Sequence, residues 1–212
     1  MSPVAGHLLC LASSSLGLAW SSDVNPVPPL DLIVVDLEAT CWKDGNLRER
    51  QEIIEIGAVR LSADTRQLGD SFSLLVRPTL EPVLTDFCKQ LTGIRQEEVD
   101  SAESFPVVFE RFLAWTGSGP YRLASWGGYD LKQLNLECTR HQTPPPGWFA
   151  DHVNVKQAFA RWKRIQPCGM ASALEFCQLP LDGRHHRGLD DAMNIAKMAA
   201  LIPEPFLVRS RI

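Results

Sequence analysis

The feature that most constrains this chain is an apolar, largely β-branched run that ends in two acids, Leu32-Ile33-Val34-Val35-Asp36-Leu37-Glu38-Ala39-Thr40-Cys41-Trp42. It reads as a strand, and side chains alternate along a strand, so Asp36 and Glu38 share one face. Two like charges at the end of an apolar strand repel each other unless a cation lies between them, and that cation is usually a divalent metal. On this stretch alone the competing reading is a pair of solvated carboxylates at a strand end.

The 212 residues suffice for one well-buried domain with a few dozen residues to spare. A net charge of −4 excludes a nucleic-acid binder that works through bulk positive charge, so any such role must come from a local site. Cys10, Cys41, Cys88, Cys138, Cys168 and Cys177 are scattered, with no CxxC pair or Cys/His cluster at zinc spacing. The plain reading is reduced thiols in a cytoplasmic protein, with no zinc and no disulfide framework. Residues 4–20 are mildly apolar and faintly signal-like, but no Lys or Arg precedes them and His7 interrupts them; they are also too short and broken to span a membrane. Residues 1–29 are therefore expected to be a disordered extension that ends in the linker Asn25-Pro26-Val27-Pro28-Pro29. The domain is expected over 30–205, with 206–212 as a tail.

Within it, Glu52–Leu61 and Asp70–Arg77 read as strands joined by short polar connections, so the first three strands form an antiparallel meander. Helices follow. Val83, Phe87 and Leu91 recur at helical spacing before Thr92-Gly93, and Phe105, Val108, Phe109, Phe112 and Trp115 form a stronger stripe. Tyr121–Trp126 reads as a strand and Asp130–Arg140 as a helix. Further helices are expected over Val155–Trp162, Ala171–Cys177 and Asp190–Ile202. The pattern predicts an α/β fold, a mixed sheet with that meander plus parallel strands, flanked by helices. Trp115, Trp126 and Phe112 read as core, and Trp20 has no assignment.

Two more sites join the first. Asp130 follows Trp126-Gly127-Gly128-Tyr129 at a strand-to-helix junction, where the plain reading is a helix N-cap. In Arg184-His185-His186-Arg187-Gly188-Leu189-Asp190-Asp191, the residues Asp191, Ile195, Met198 and Ile202 share one helical face, so Asp191 heads the stripe that faces the sheet. Asp190, with Asn194 and Lys197, falls on a more exposed face and reads as an N-cap or first-turn acid. An inward acid at a helix start needs a cation partner. Four carboxylates, Asp36, Glu38, Asp130 and Asp191, match two divalent ions roughly 4 Å apart, the arrangement that cleaves phosphodiesters. Their all-oxygen chemistry favours Mg²⁺ or Mn²⁺. His186, on the loop entering the site, is suited to be the general base for the attacking water, with His185 as a rival. No Ser or Cys has the base and oxyanion arrangement of a nucleophilic enzyme.

These motifs, in this order, resemble the DEDDh exonucleases of the RNase T/DnaQ superfamily, whose fold is RNase H-like. Asp36-Leu37-Glu38-Ala39-Thr40 corresponds to the first motif, Asp130 to the second, and His186 with Asp191 to the third. Asp-Leu-Glu-Ala-Thr-Cys at 36–41, Gln51-Glu52-Ile53-Ile54-Glu55, Phe87-Cys88 with Leu91-Thr92-Gly93-Ile94, and His186-Arg187-Gly188-Leu189-Asp190-Asp191 resemble the Eri subfamily, which trims RNA 3′ ends. The resemblance implies hydrolysis from a 3′-hydroxyl end to nucleoside 5′-monophosphates, with Asp36, Glu38, Asp130 and Asp191 as metal ligands and His186 as base. It implies single-stranded nucleic acid as partner, RNA before DNA, with Ala39, Thr40, Thr92, Gly93 and Ile94 bordering the 3′ nucleotide. Trp42 is read either as a base-stacking platform or as a packed loop anchor. Gly128 departs from the subfamily, which often has an acid there, and no RNA-binding module is read ahead of residue 30. Lys156, Arg161, Lys163, Arg164, Arg184 and Arg187 are read as a phosphate-tracking groove or as a solvated face. The alternatives are a DNA proofreading or repair exonuclease of the same fold, and a catalytically silent binding module.

Overall fold

The computed structural model describes residues 30–45 and 48–207; the expected extension, with Cys10 and Trp20, and residues 208–212 of the expected tail lie outside them. The founding strand, β1 (Leu32–Ala39), has near-continuous burial because it is central and covered on both faces, which is why its sequence is a run and not an alternation. It pairs antiparallel with β2 (Ile53–Leu61), which pairs antiparallel with β3 (Leu68–Arg77). On its other side β1 pairs parallel with β5 (Arg122–Ser125). Two-residue strands, β4 (Glu103–Ser104) and β6 (Val153–Asn154), complete a six-stranded mixed sheet in the order β4-β3-β2-β1-β5-β6. The meander and the mixed sheet are as expected; β4 and β6 are too short to leave a periodic signal.

Helices cover both faces. Ile33, Val35 and Leu37 pack with Phe105, Phe109 and Phe112 of α3 (Phe105–Thr116) and Leu134 of α4 (Tyr129–Arg140). Leu32 and Val34 point the other way, against α5 (Val155–Lys163), α6 (Met170–Phe176) and α7 (Gly188–Leu201). Asp36 and Glu38 continue this second row, so parity alone turns both acids toward α7. Phe112 is core, while Trp115 and Trp126 pack half-buried against the two layers.

The start of α7 rests directly on the sheet. A Cβ on Gly57, the cross-strand partner of Asp36, would sit 1.9 Å from the Gly188 carbonyl carbon, so only glycine allows this contact. At its far end, Arg66 in the β2–β3 turn donates to the carbonyls of Ala199 (2.6 Å) and Ala200 (3.2 Å), filling acceptors that a helix terminus leaves open. A last helix, α8 (Glu204–Leu207), buries Leu207, whose carbonyl accepts from Arg122 at 2.8 Å. No described helix is long and apolar enough to cross a membrane.

Several expected elements are corrected. Helix α1 is Asp86–Thr92, capped by Thr85, whose hydroxyl accepts from the Cys88 amide. The expected Val83/Phe87/Leu91 stripe is not its buried face: Val83 is 76% exposed, and Leu84, Cys88 and Thr92 point inward. The cap starts the helix later than the apolar spacing suggests, which rotates the buried face by one residue. A short helix, α2 (Gln96–Asp100), was not expected. Asp130 is not an N-cap but the second residue of α4, with Gly128 at the cap position. Asn194 is fully buried, not exposed: its amide donates to the carbonyls of Asp182 (2.8 Å) and Asp190 (2.9 Å) and so ties down the loop before α7.

Candidate active site

Parallel pairing of β1 with β5 ends at Val34, yet β1 runs on to Ala39. Beyond that point β1 has no strand neighbour on one side among the described residues, and its acids line a crevice at the carboxyl ends of the parallel strands, where ligands of open α/β sheets bind. The Leu37 amide, which has lost its ladder partner, donates instead to Asp130 Oδ1 at 3.2 Å. The hydroxyl of Ser125, the last residue of β5, donates to Gly127 O at 3.1 Å, meets buried His152 Nε2 at 2.9 Å, and helps to hold down the pKa of the Asp130 carboxyl. One edge vacancy thus places the second-motif acid beside the first.

Carboxylate oxygens of Asp36, Glu38 and Asp191 all lie within 4.8 Å of one another. Glu38, Asp130 and Asp191 are buried and Asp36 is half-buried. Burial pushes Glu38 up to about 8, helped by Asp191 and Glu55. Asp36 is raised well above the usual carboxylate range, first by burial and then by Asp130, Glu38, Asp191 and Glu55. Asp130 is raised by burial to about 6, against hydrogen bonds from its own amide, Leu37 and Ser125 and against the nearby Lys156. Such a cluster holds its full negative charge only with cations between the acids, and its oxygen-only donors fit a hard divalent ion.

The loop into α7 is fastened from below. Glu55, buried and cross-strand from Glu38, accepts from Arg187 Nε (3.0 Å) and the Gly188 amide (3.1 Å). The Asp191 carboxylate accepts from the His186 amide at 2.9 Å, and His185 Nδ1 lies 2.9 and 3.1 Å from its two oxygens. The two imidazoles stack at 4.0 Å, with His186 in a left-handed backbone conformation (φ 66°). Burial and His185 lower the His186 pKa. Both histidines therefore crowd Asp191, but the ring that grips it belongs to His185.

The expected substrate contacts divide. Thr92 and Ile94 are buried, the Thr92 hydroxyl bonding Cys88 O and the Ile94 amide, so their side chains are core. Thr40 is committed to its neighbours as well: its hydroxyl accepts from the Glu52 amide, its amide donates to Glu52 O, and its carbonyl accepts from Gln51. Ala39 is buried at the strand end, and Gly93 (φ 72°) lies under the Arg184 guanidinium. Trp42 shares a surface hollow with Phe87, one of the exposed apolar side chains. Sequence reasoning gave no site role to Ser125, His152, Glu55 and Phe87; of these, Glu55 and Phe87 lie in stretches that carry the family resemblance, and Glu55 is also an acid inside the apolar run of β2. Five of the six basic residues have visible surroundings. Arg187 pairs with Glu55, Arg184 donates to Gln90 O at 3.4 Å, Lys163 lies over the Trp162 ring, Arg164 ends α5, and Lys156 reaches the rim of the acid cluster.

Comparison with known proteins agrees with this geometry. Residues 33–199 match the exonuclease (RNase_T) family. Human "ERI1 exoribonuclease 2" is 34% identical over 190 residues, 79% of this chain and 28% of that protein. Human "3'-5' exoribonuclease 1" is 34% identical over 178 residues, 79% of this chain and 51% of that protein. The chain thus spans between about a quarter and a half of these relatives. Among solved structures, the nuclease domain of "3'hExo, a DEDDh family member, bound to rAMP" superposes with a TM-score of 0.76 at 32% identity, covering 80% of this chain and 90% of that one.

Proposed function

The chain belongs to the exonuclease family, and from that premise we propose that it removes nucleotides one at a time from the 3′-hydroxyl end of single-stranded nucleic acid, RNA before DNA, releasing nucleoside 5′-monophosphates. The observation that carries this reading is the convergence of Asp36, Glu38 and Asp191 within 4.8 Å, with buried Asp130 and two histidines around them. The preference for RNA rests on the two exoribonuclease relatives. We take residues 30–207 as the catalytic unit, and the free thiols of Cys41, Cys88, Cys138, Cys168 and Cys177 support a reducing compartment such as the cytoplasm.

Asp36, Glu38, Asp130 and Asp191 would hold two divalent ions, Mg²⁺ or Mn²⁺. When bound, these supply the charge that activates a water and stabilises the leaving 3′ oxygen. His186 accepts the proton of the attacking water, and its lowered pKa keeps it neutral and able to do so near neutral pH. His185 orients the Asp191 carboxylate. Trp42 and Phe87 offer aromatic faces to the terminal bases, a contact that every base accepts. Ala39 and Gly93 border the nucleotide, while Thr40, Thr92 and Ile94 support that floor from beneath.

The test is digestion of matched single-stranded RNA, single-stranded DNA and duplex oligonucleotides with Mg²⁺ or Mn²⁺. Stepwise shortening from the 3′ end is expected, faster on RNA and abolished by EDTA, Asp36→Ala or His186→Ala. If both polymers stay intact with either metal, the enzyme reading fails; equal or faster digestion of DNA would move the substrate to the DNA-exonuclease alternative.

A further inference from the structure

Resting on that reading, we propose that Lys156 binds the phosphodiester one nucleotide upstream of the scissile one. Strand β6 pairs with β5 through Ser125 and Asn154, so α5 starts beside the turn that follows β5. Lys156, the second residue of α5, extends over that turn: its Nζ lies 3.8 Å, and its Cε 3.9 Å, from where a Cβ on Gly127 would sit. The turn itself, Gly127-Gly128, carries no side chains, and a Cβ at Gly128 would meet nothing within 4 Å. The result is an open stretch of bare backbone between a cation and Asp130.

The charge of Lys156 reaches Asp130, yet the amine makes no ion pair with any carboxylate among the described residues. Two other basic groups of the expected set are engaged, Arg187 by Glu55 and Arg184 by the end of α1. Lys156 stands outside the Asp36/Glu38/Asp191 cluster, on the β5–α4 side of Asp130. The scissile phosphate belongs to that cluster and its cations. The next phosphate must then lie beside an acidic rim that repels it, and a free ammonium over a glycine turn offsets that repulsion.

Wild type, K156A, K156R and K156E are compared on a fluorescently labelled single-stranded oligoribonucleotide and on the p-nitrophenyl ester of uridine 5′-monophosphate, which has no upstream phosphate. For K156A the oligonucleotide KM is expected to rise by about tenfold, and the slope of log KM against log salt to fall by about 0.7, the share of one phosphate contact on a single strand. The rise on the ester should be several-fold smaller. K156R should retain most of the wild-type KM, and K156E should exceed K156A. Fluorescence anisotropy of the same oligonucleotide in Ca²⁺ reads the contact without turnover, and K156A must weaken binding by a similar factor. An equal loss on both substrates would mean that Lys156 acts through Asp130, and an unchanged oligonucleotide KM and affinity would remove the contact; either overturns the proposal. A wild type inactive on both substrates would instead sink the exonuclease reading, leaving anisotropy to decide on the contact.

Discussion

Ser125 belongs to no motif and no apolar stripe, yet its hydroxyl acts on Asp130. The hydroxyl ends β5, donates to Gly127 O, meets His152, and helps to hold down the pKa of the Asp130 carboxyl. Partners of this kind fix the direction of a ligand carboxylate and tune its affinity for a metal. Ser125→Ala is therefore expected to weaken Mn²⁺ binding by about tenfold in a calorimetric titration, while Asp36→Asn removes it almost wholly. An affinity within twofold of wild type would show that Leu37 alone positions Asp130. Residues such as Asp36, Glu38 and Asp191 were legible because strand alternation and helical spacing are local rules. Ser125 and Glu55 were not, because their partners His152 and Arg187 lie on other elements far along the chain, and the His185 contact was not, because it depends on how the loop before α7 folds back. His185 shows the limit most clearly: spacing favours His186 as the base, but only the folded loop shows that its neighbour grips Asp191.

Among the elements, α1 shows how a cap can overrule an apolar pattern. Thr85 offers its hydroxyl to the Cys88 amide, the helix begins there, and Phe87 turns outward beside Trp42. The displaced aromatic thus faces the surface hollow beside Trp42, where the apolar stripe alone would have buried it. Helix α7 obeyed its sequence pattern because the Asp191/Ile195/Met198/Ile202 face meets the sheet directly. What the pattern could not convey is the closeness of that meeting. Gly57→Ala would drive a Cβ into the Gly188 backbone, and the loss expected from urea unfolding is at least about 3 kcal/mol. Gly69→Ala, whose Cβ would meet Arg60 at an ordinary 3.6 Å, serves as the comparison and should cost far less. Equal midpoints for the two variants would contradict the close contact.

At the scale of the molecule, the meander and the helices on both faces followed from where apolar runs and turns fall along the chain. The two edge strands, and the fact that β1 outruns β5, depend on pairing partners and left no mark in the pattern. That outrunning is what makes a crevice out of a sheet. Helix α7 spans the same architecture from Gly188, seated on Gly57, to Ala199 and Ala200, clamped by Arg66, so both of its ends are fastened to the β2–β3 hairpin. A helix pinned twice to one hairpin cannot fray or slide alone, and it opens only when the sheet does. In hydrogen–deuterium exchange, the amides of α7 and β2 should share one slow class, with an opening free energy equal to that of global unfolding, and Arg66→Ala should release the last turn of α7 into faster, local exchange. On those terms the spacing of Asp191 from Asp36 is set when the chain folds, before any substrate or ion arrives.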